Sequence, residues 1–161
     1  MSAIQQAFLA VGLKGGIACP YCSQKAELVR GAAIYPHRPD LHQQRFWLCA
    51  RCDAYVGCHK PNRRLGLDGT EPLGRLANAE LRRAKSAAHG CFDWIWRDRH
   101  KTRSEAYAWL ASKLGIPFER CHIGEFDVPM CRRVVEVCEA FRGQLSLGGE
   151  GIMHCCNSNI A

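Results

Sequence analysis

A chain of 161 residues, 47% hydrophobic and 23% charged, has the composition of a folded protein, which excludes wholesale disorder. No apolar run is long enough to cross a bilayer, and no basic stretch followed by an apolar one opens the chain as a secretory leader would. The formal net charge of +7 is concentrated, since between residues 60 and 103 eleven basic residues stand against five acidic ones and this segment alone carries +6.

In chain order, residues 1–18 begin with Ile4, Phe8 and Val11 on one helical face and close on Lys14-Gly15-Gly16, a lead-in to the first knuckle. Two Cys-x-x-Cys knuckles follow, Cys19-Pro-Tyr-Cys22 and Cys49-Ala-Arg-Cys52, with twenty-six residues between them. A closed-shell, borderline-soft ion takes four thiolates tetrahedrally, and two residues between cysteines let one tight turn aim both sulfurs at one point. The pattern therefore reads as one structural Zn2+ on Cys19, Cys22, Cys49 and Cys52. A redox motif needs only one such pair and a βαβ setting that is missing here.

Between and after the knuckles the runs are strand-like. Residues 26–29 and 32–35 flank Arg30-Gly31 as a hairpin, 46–48 lead into the second knuckle and 54–56 leave it. Three short antiparallel strands around one metal are expected, too small a sheet to fold without it, so metal binding and folding are coupled. Residues 36–45, with two prolines and the basic Arg38 and Arg45, read as a projecting loop. Its framing aromatics Tyr35, Phe46 and Trp47 could stack on bases, although at least two of them are expected in the ribbon's small core.

The Gly- and Pro-bearing stretch 61–72 reads as a linker. From 75 to 97 apolar residues recur at helical spacing (Leu76, Leu81, Ala84, Ala88, Phe92, Ile95), with Arg75, Arg82, Arg83, Lys85 and His89 mostly elsewhere on the wheel and Gly90 as a place to bend. Thr102-Arg-Ser-Glu105 spells a capping box for a helix running to Leu114, with Gly115 placed to stop it. Asp127 caps a third helix with the stripe Val128, Cys131, Val134, Val135, Cys138, Phe141, stopping before Gly143. The expected organisation is α+β: a zinc ribbon with its lead-in over 1–60, a linker over 61–72, a basic three-helix module over 73–143 and a mobile tail over 144–161. In that tail His154-Cys155-Cys156 reads as reactive thiols rather than ligands.

The succession Cys19-Pro-Tyr-Cys22, Ile34-Tyr-Pro36, Arg38-Pro-Asp40, Trp47-Leu-Cys-Ala-Arg-Cys-Asp-Ala-Tyr-Val-Gly-Cys-His59, Pro72-Leu-Gly-Arg-Leu-Ala-Asn-Ala-Glu-Leu-Arg82, Ala88-His89 and Phe92-Asp93 resembles a family of zinc-finger-containing domains of bacteria and their phages. Ser104-Glu-Ala-Tyr-Ala-Trp-Leu-Ala111, His122-Ile-Gly124, Phe126-Asp127 and Cys131-Arg-Arg-Val134 resemble its C-terminal part. The resemblance implies the same four cysteine ligands and a phage or prophage setting, and supplies no reaction.

Eleven cysteines, an odd number without an export signal, point to a reducing cytoplasm in which some thiols hold metal and others pack as small hydrophobes. For function, the charge beside a ribbon points to a DNA- or RNA-binding protein. Arg38, Arg45, Arg75, Arg82, Arg83 and Lys85 would lie on the phosphate backbone, and no membrane is expected as partner. Two alternatives come from other classes. One is an adaptor that docks its ribbon and basic helix on a host enzyme. The other is a metal-dependent nuclease built on His59, Asn78 and His89, in His-Asn-His order. A second metal site drawing on Cys58, His59, His37 and His42 is a further possibility, weakened because adjacent strand residues point to opposite faces.

Overall fold

The computed structural model describes residues 16–147. Its N-terminal part is a three-stranded antiparallel sheet in the order β1-β2-β3, formed by Glu27–Arg30 (β1), Arg45–Cys49 (β2) and Ala54–Gly57 (β3). The register pairs Leu28 with Trp47 and Trp47 with Val56. One face of β2 is therefore apolar on both sides of the central strand, where Trp47 joins Cys19, Ala26, Cys49, Ala54 and Leu76 in the ribbon's core. Phe46, on the opposite face, is covered by Tyr35 and Tyr55 in edge-to-face contacts with centroids 5.7 and 6.4 Å away. Phe46 and Trp47 are both buried, as expected of the ribbon aromatics.

Residues 32–35 do not form the expected strand. Gly31 sits so close to Leu41 that a Cβ on it would collide with the Leu41 carbonyl, and the chain turns there through a single 3-10 turn, Gly31–Ala33. The partner of β1 is instead β2, reached across the basic loop.

Three longer elements follow: α1 (Ala79–Phe92), α3 (Arg103–Leu114) and α4 (Val128–Leu147), with the single-turn α2 (Trp94–Arg97) between the first two. The expected start of α1 at residue 75 is corrected. The helix begins at Ala79 because the Asn78 side chain accepts the Leu81 N–H and caps it. It passes through Gly90 and is interrupted at Asp93, whose carboxylate takes both His89 and Arg97. The capping box Thr102–Glu105 opens α3, and Gly115 in the left-handed region closes it. Asp127 accepts the Met130 N–H at the start of α4, which runs through Gly143 to Leu147, past the expected stop. The remainder of the tail, His154, Cys155 and Cys156 included, and the lead-in residues Ile4, Phe8 and Val11 lie outside the described residues.

The helices share one core in which Leu81, Ala88 and Phe92 of α1 meet Ala106, Leu110 and Leu114 of α3 and Cys131, Val134 and Cys138 of α4. Cys131 and Cys138 are core thiols, as the stripe predicts. Sheet and helices are stitched at one dipeptide: Leu76 enters the ribbon's core while Ala77 enters the helical one. Ala77 also exchanges both backbone hydrogen bonds with Tyr55 of β3, each 3.1 Å long. The stretch 61–72 is no slack linker either. Cys58 bridges to Pro72, the His59 N–H donates to Glu71 and the Leu73 N–H to Gly57, so the segment leaves the sheet and returns to it.

Candidate metal centre

Each knuckle is a tight turn whose second cysteine is followed by a residue in the left-handed region, Ser23 (φ 59°) after Cys22 and Asp53 (φ 45°) after Cys52. Neither is glycine, so each turn holds a conformation costing about 1 kcal/mol to keep its two sulfurs convergent. The Ser23 N–H donates to the Cys19 carbonyl at 2.9 Å and the Asp53 N–H to the Ala50 carbonyl at 3.3 Å, closing both loops. The four Sγ atoms of Cys19, Cys22, Cys49 and Cys52 then lie within 4.8 Å of one another, with Cys22 and Cys49 3.6 Å apart.

That geometry fits zinc. Four sulfurs at the Zn–S distance of about 2.3 Å from a tetrahedral centre stand about 3.8 Å from each other. Electrostatics agrees with the spacing. Burial pushes the Cys19 thiol up, but N–H groups of Tyr21 and Cys22 aimed at its sulfur, with the thiols of Cys49 and Cys22, bring it down to about 7. Its neighbours answer in the opposite sense: hydrogen bonding to Cys22 first, then burial, pushes Cys52 up to about 12. Four thiolates held this close together call for a divalent cation between them. Cys19 and Cys49 are buried and the other two half-buried, and four protein ligands close the coordination sphere. The arrangement suits a structural ion.

The second knuckle is clamped from the helical module. Arg82 of α1 donates to the Asp53 carbonyl at 2.6 Å, pairs with its carboxylate at 2.8 Å, donates to Ala77 at 2.9 Å and lies over the Tyr55 ring 4.1 Å from its centroid. Tyr21 of the first knuckle places its hydroxyl between the Leu76 carbonyl, 3.4 Å away, and the Asn78 N–H, 3.2 Å away. Both knuckles thus touch the start of α1.

The structure changes the standing of several residues singled out in the sequence. Arg82, expected on phosphate, is committed to the knuckle. Lys85, expected there too, buries its stem and donates to the Gly124 carbonyl at 2.6 Å, and burial lowers its pKa. Of the other four, Arg38 forks onto Asp40 at 2.9 and 2.8 Å in an exposed pair, Arg45 reaches the Asp68 carbonyl at 3.4 Å, Arg75 is half-buried, and Arg83 is exposed on α1.

His59, Asn78 and His89 are not brought together. Asn78 spends its side-chain oxygen on the helix cap, and His89 stands eleven residues on, about 16 Å along the same helix. His59 belongs to the foot of the 61–72 excursion and His89 pairs with Asp93 at 3.2 Å. The second metal set fails likewise. His42 Nε2 lies 3.1 Å from the carbonyls of both Tyr35 and Pro36, burial pushes Cys58 up to about 11, and among the described residues the one group of three or more metal-competent side chains is the four-cysteine cluster.

Sequence reasoning missed two contributors. Leu76 and Tyr21 complete the ribbon although neither is part of a periodic pattern that points there. The turn at residues 62–67 was hidden inside a presumed linker, where Asn62 followed four residues later by Gly66 is the signal of an Asx-capped turn. Among the described residues no helix is long and apolar enough to cross a membrane.

A short antiparallel sheet with two facing Cys-x-x-Cys knuckles and one four-sulfur cluster defines a zinc-ribbon protein. More particularly, the chain belongs to the zinc-finger-containing domain family whose model matches residues 16–141. No curated protein and no solved structure matches it.

Proposed function

We propose that this zinc-binding domain binds nucleic acid through the phosphate backbone, with zinc fixing the geometry and taking no part in chemistry. The observation that carries the reading is the placement of charge. The +6 segment from residue 60 to residue 103 is anchored at its middle, where Arg82 and Lys85 serve the fold. Of its nine remaining cations seven are exposed, Lys60, Arg63 and Arg64 beside the ribbon, Arg97, Arg99 and Arg103 after α1, and Arg83 between them. Exposed guanidinium groups at fixed spacing are suited to phosphate, and release of condensed counterions supplies the free energy. Arg103 lies 5.3 Å from the Trp96 ring centroid and Arg97 at the same 5.3 Å, an aromatic and cationic surface of the kind that meets unpaired bases and backbone together. Arg38, Arg45 and Arg75 stand as supporting contacts, and the phage or prophage setting fits a small basic protein of this kind.

The test is binding of zinc-loaded protein to labelled DNA and RNA across a salt series, with magnesium in a parallel set. Affinity falling steeply with salt, and further reduced by Arg83→Glu, supports the reading. Absence of binding at low salt would reject it and favour docking on an acidic protein surface.

A further inference from the structure

The excursion over residues 61–72 contributes no side chain to either core, yet it is pinned throughout. At its foot Trp47 Nε1–H donates to the Thr70 carbonyl at 2.7 Å, and the Glu71 carboxylate accepts the N–H groups of Asp68 and Gly69, both at 3.0 Å. Asp68 in turn accepts the Thr70 N–H at 2.8 Å and its hydroxyl at 2.6 Å. Both acidic residues of the segment are thereby spent at the foot. At its tip Asn62 and Leu67 exchange backbone hydrogen bonds at 2.9 and 3.0 Å, Asn62 Oδ1 accepts from the N–H groups of Arg64 and Leu65, and Gly66 reverses the chain in the left-handed region.

This framework holds three side chains outward at the apex, Arg63, Arg64 and Leu65. Leu65 is 70% exposed, more than any other large hydrophobic side chain among the described residues. Lys60 stands below them, residues 59–67 include no acid, and neither arginine has an ion-pair partner among the described residues. A turn whose only task is to connect favours small polar residues at its apex. A rigid turn that presents an isolated leucine beside unpaired arginines is arranged for a partner that is both anionic and apolar within a few ångströms.

Resting on the nucleic-acid reading, we infer that this turn is a wedge for a DNA duplex: Leu65 enters a base step from the minor groove while Arg63, Arg64 and Lys60 lie on the flanking phosphates. Leucine is among the side chains that unstack a step in this way, and the narrow minor groove of B-form DNA draws arginine by its negative potential. The wide, shallow minor groove of A-form RNA does not enclose such a tip. Because its hydrogen bonds fix the turn beforehand, little conformational freedom is lost on insertion.

The experiment uses the zinc-loaded full chain and a short DNA duplex with a fluorescent adenine analogue at a central TA step, which unstacks readily. The chain is expected to bind and to raise the analogue's emission. Leu65→Ala should abolish the rise and lower affinity about tenfold while leaving the salt slope in place, and Leu65→Phe should retain the rise. Neutralising Arg63 and Arg64 together should reduce the slope by about two. Leu65 supports neither core, so zinc content and unfolding midpoint of its variants should equal those of the parent. Binding and emission unaltered by Leu65→Ala would overturn the wedge and leave the nucleic-acid reading standing, as would emission that rises only on an RNA duplex. Absence of binding by the parent chain would overturn both.

Discussion

Asp53 concentrates the local conflict of the fold. It carries a left-handed backbone that closes the second knuckle, and Arg82 holds its carbonyl and carboxylate at once. Hydrogen bonds to a charged group contribute about 2 kcal/mol, so Arg82→Ala should lower unfolding free energy by about that amount in a urea titration. Asp53→Asn keeps the carbonyl contact and a side chain tolerant of the left-handed region, and should cost visibly less. Equal losses would show that the ion pair alone carries the clamp. The cysteines of the knuckles were legible in the sequence because each pair lies within one turn. Arg82 was not, because its partner is 29 residues away and charge on a helix wheel resembles solvent-facing charge wherever it points. The buried thiols make a further residue-scale prediction. Burial pushes Cys121 up to about 11 and Cys138 up to about 12, above the ordinary 9.0. The unfolded chain therefore releases these protons first, and the stability they lend is whole below pH 9 and lost as pH rises through 11 and 12. The urea midpoint should fall over that range, and more gently in a Cys121→Ala, Cys138→Ala double variant even though its cavity lowers stability at neutral pH.

At the scale of elements, local signals and long-range ones part company. The capping box Thr102–Glu105 and the Gly115 stop are complete within their own helix, and the sequence specified α3 to the residue. Thr102→Ala removes the cap's acceptor and should cost about 1 kcal/mol, read as a lower urea midpoint with an unchanged slope. Strand pairing is different. Residues 32–35 have β-forming composition, but the close approach of Gly31 to Leu41 folds them into a loop and hands the pairing of β1 to β2. The 61–72 segment was illegible for a related reason, since its order comes from Trp47 and Glu71 side chains bonding to backbone rather than from any period. A second close approach ties the helical module together: a Cβ on Gly74 would collide with the Gly124 carbonyl, the same oxygen that receives the Lys85 ammonium. Gly74→Ala should therefore separate the two loops and destabilise the protein by more than Thr102→Ala does, a difference that the same titration resolves.

Across the whole molecule, the four-sulfur cluster is coupled to the helices through Leu76, Tyr21 and Arg82. A chelator should unfold the ribbon and, beyond it, loosen the first turns of α1. Hydrogen exchange should accelerate at residues 79–83 and much less in α3, whose core contacts do not pass through the ribbon. Because the foot of the basic turn is pinned to the sheet through Trp47, metal, fold and the proposed nucleic-acid surface form one chain of dependence. The measurement that tests it most directly is binding of zinc-loaded and chelated protein to the same labelled DNA at low salt. Tight, salt-sensitive binding that is lost on chelation and restored by zinc is the predicted result; binding that survives chelation undiminished, or is absent from the zinc-loaded chain, would contradict it.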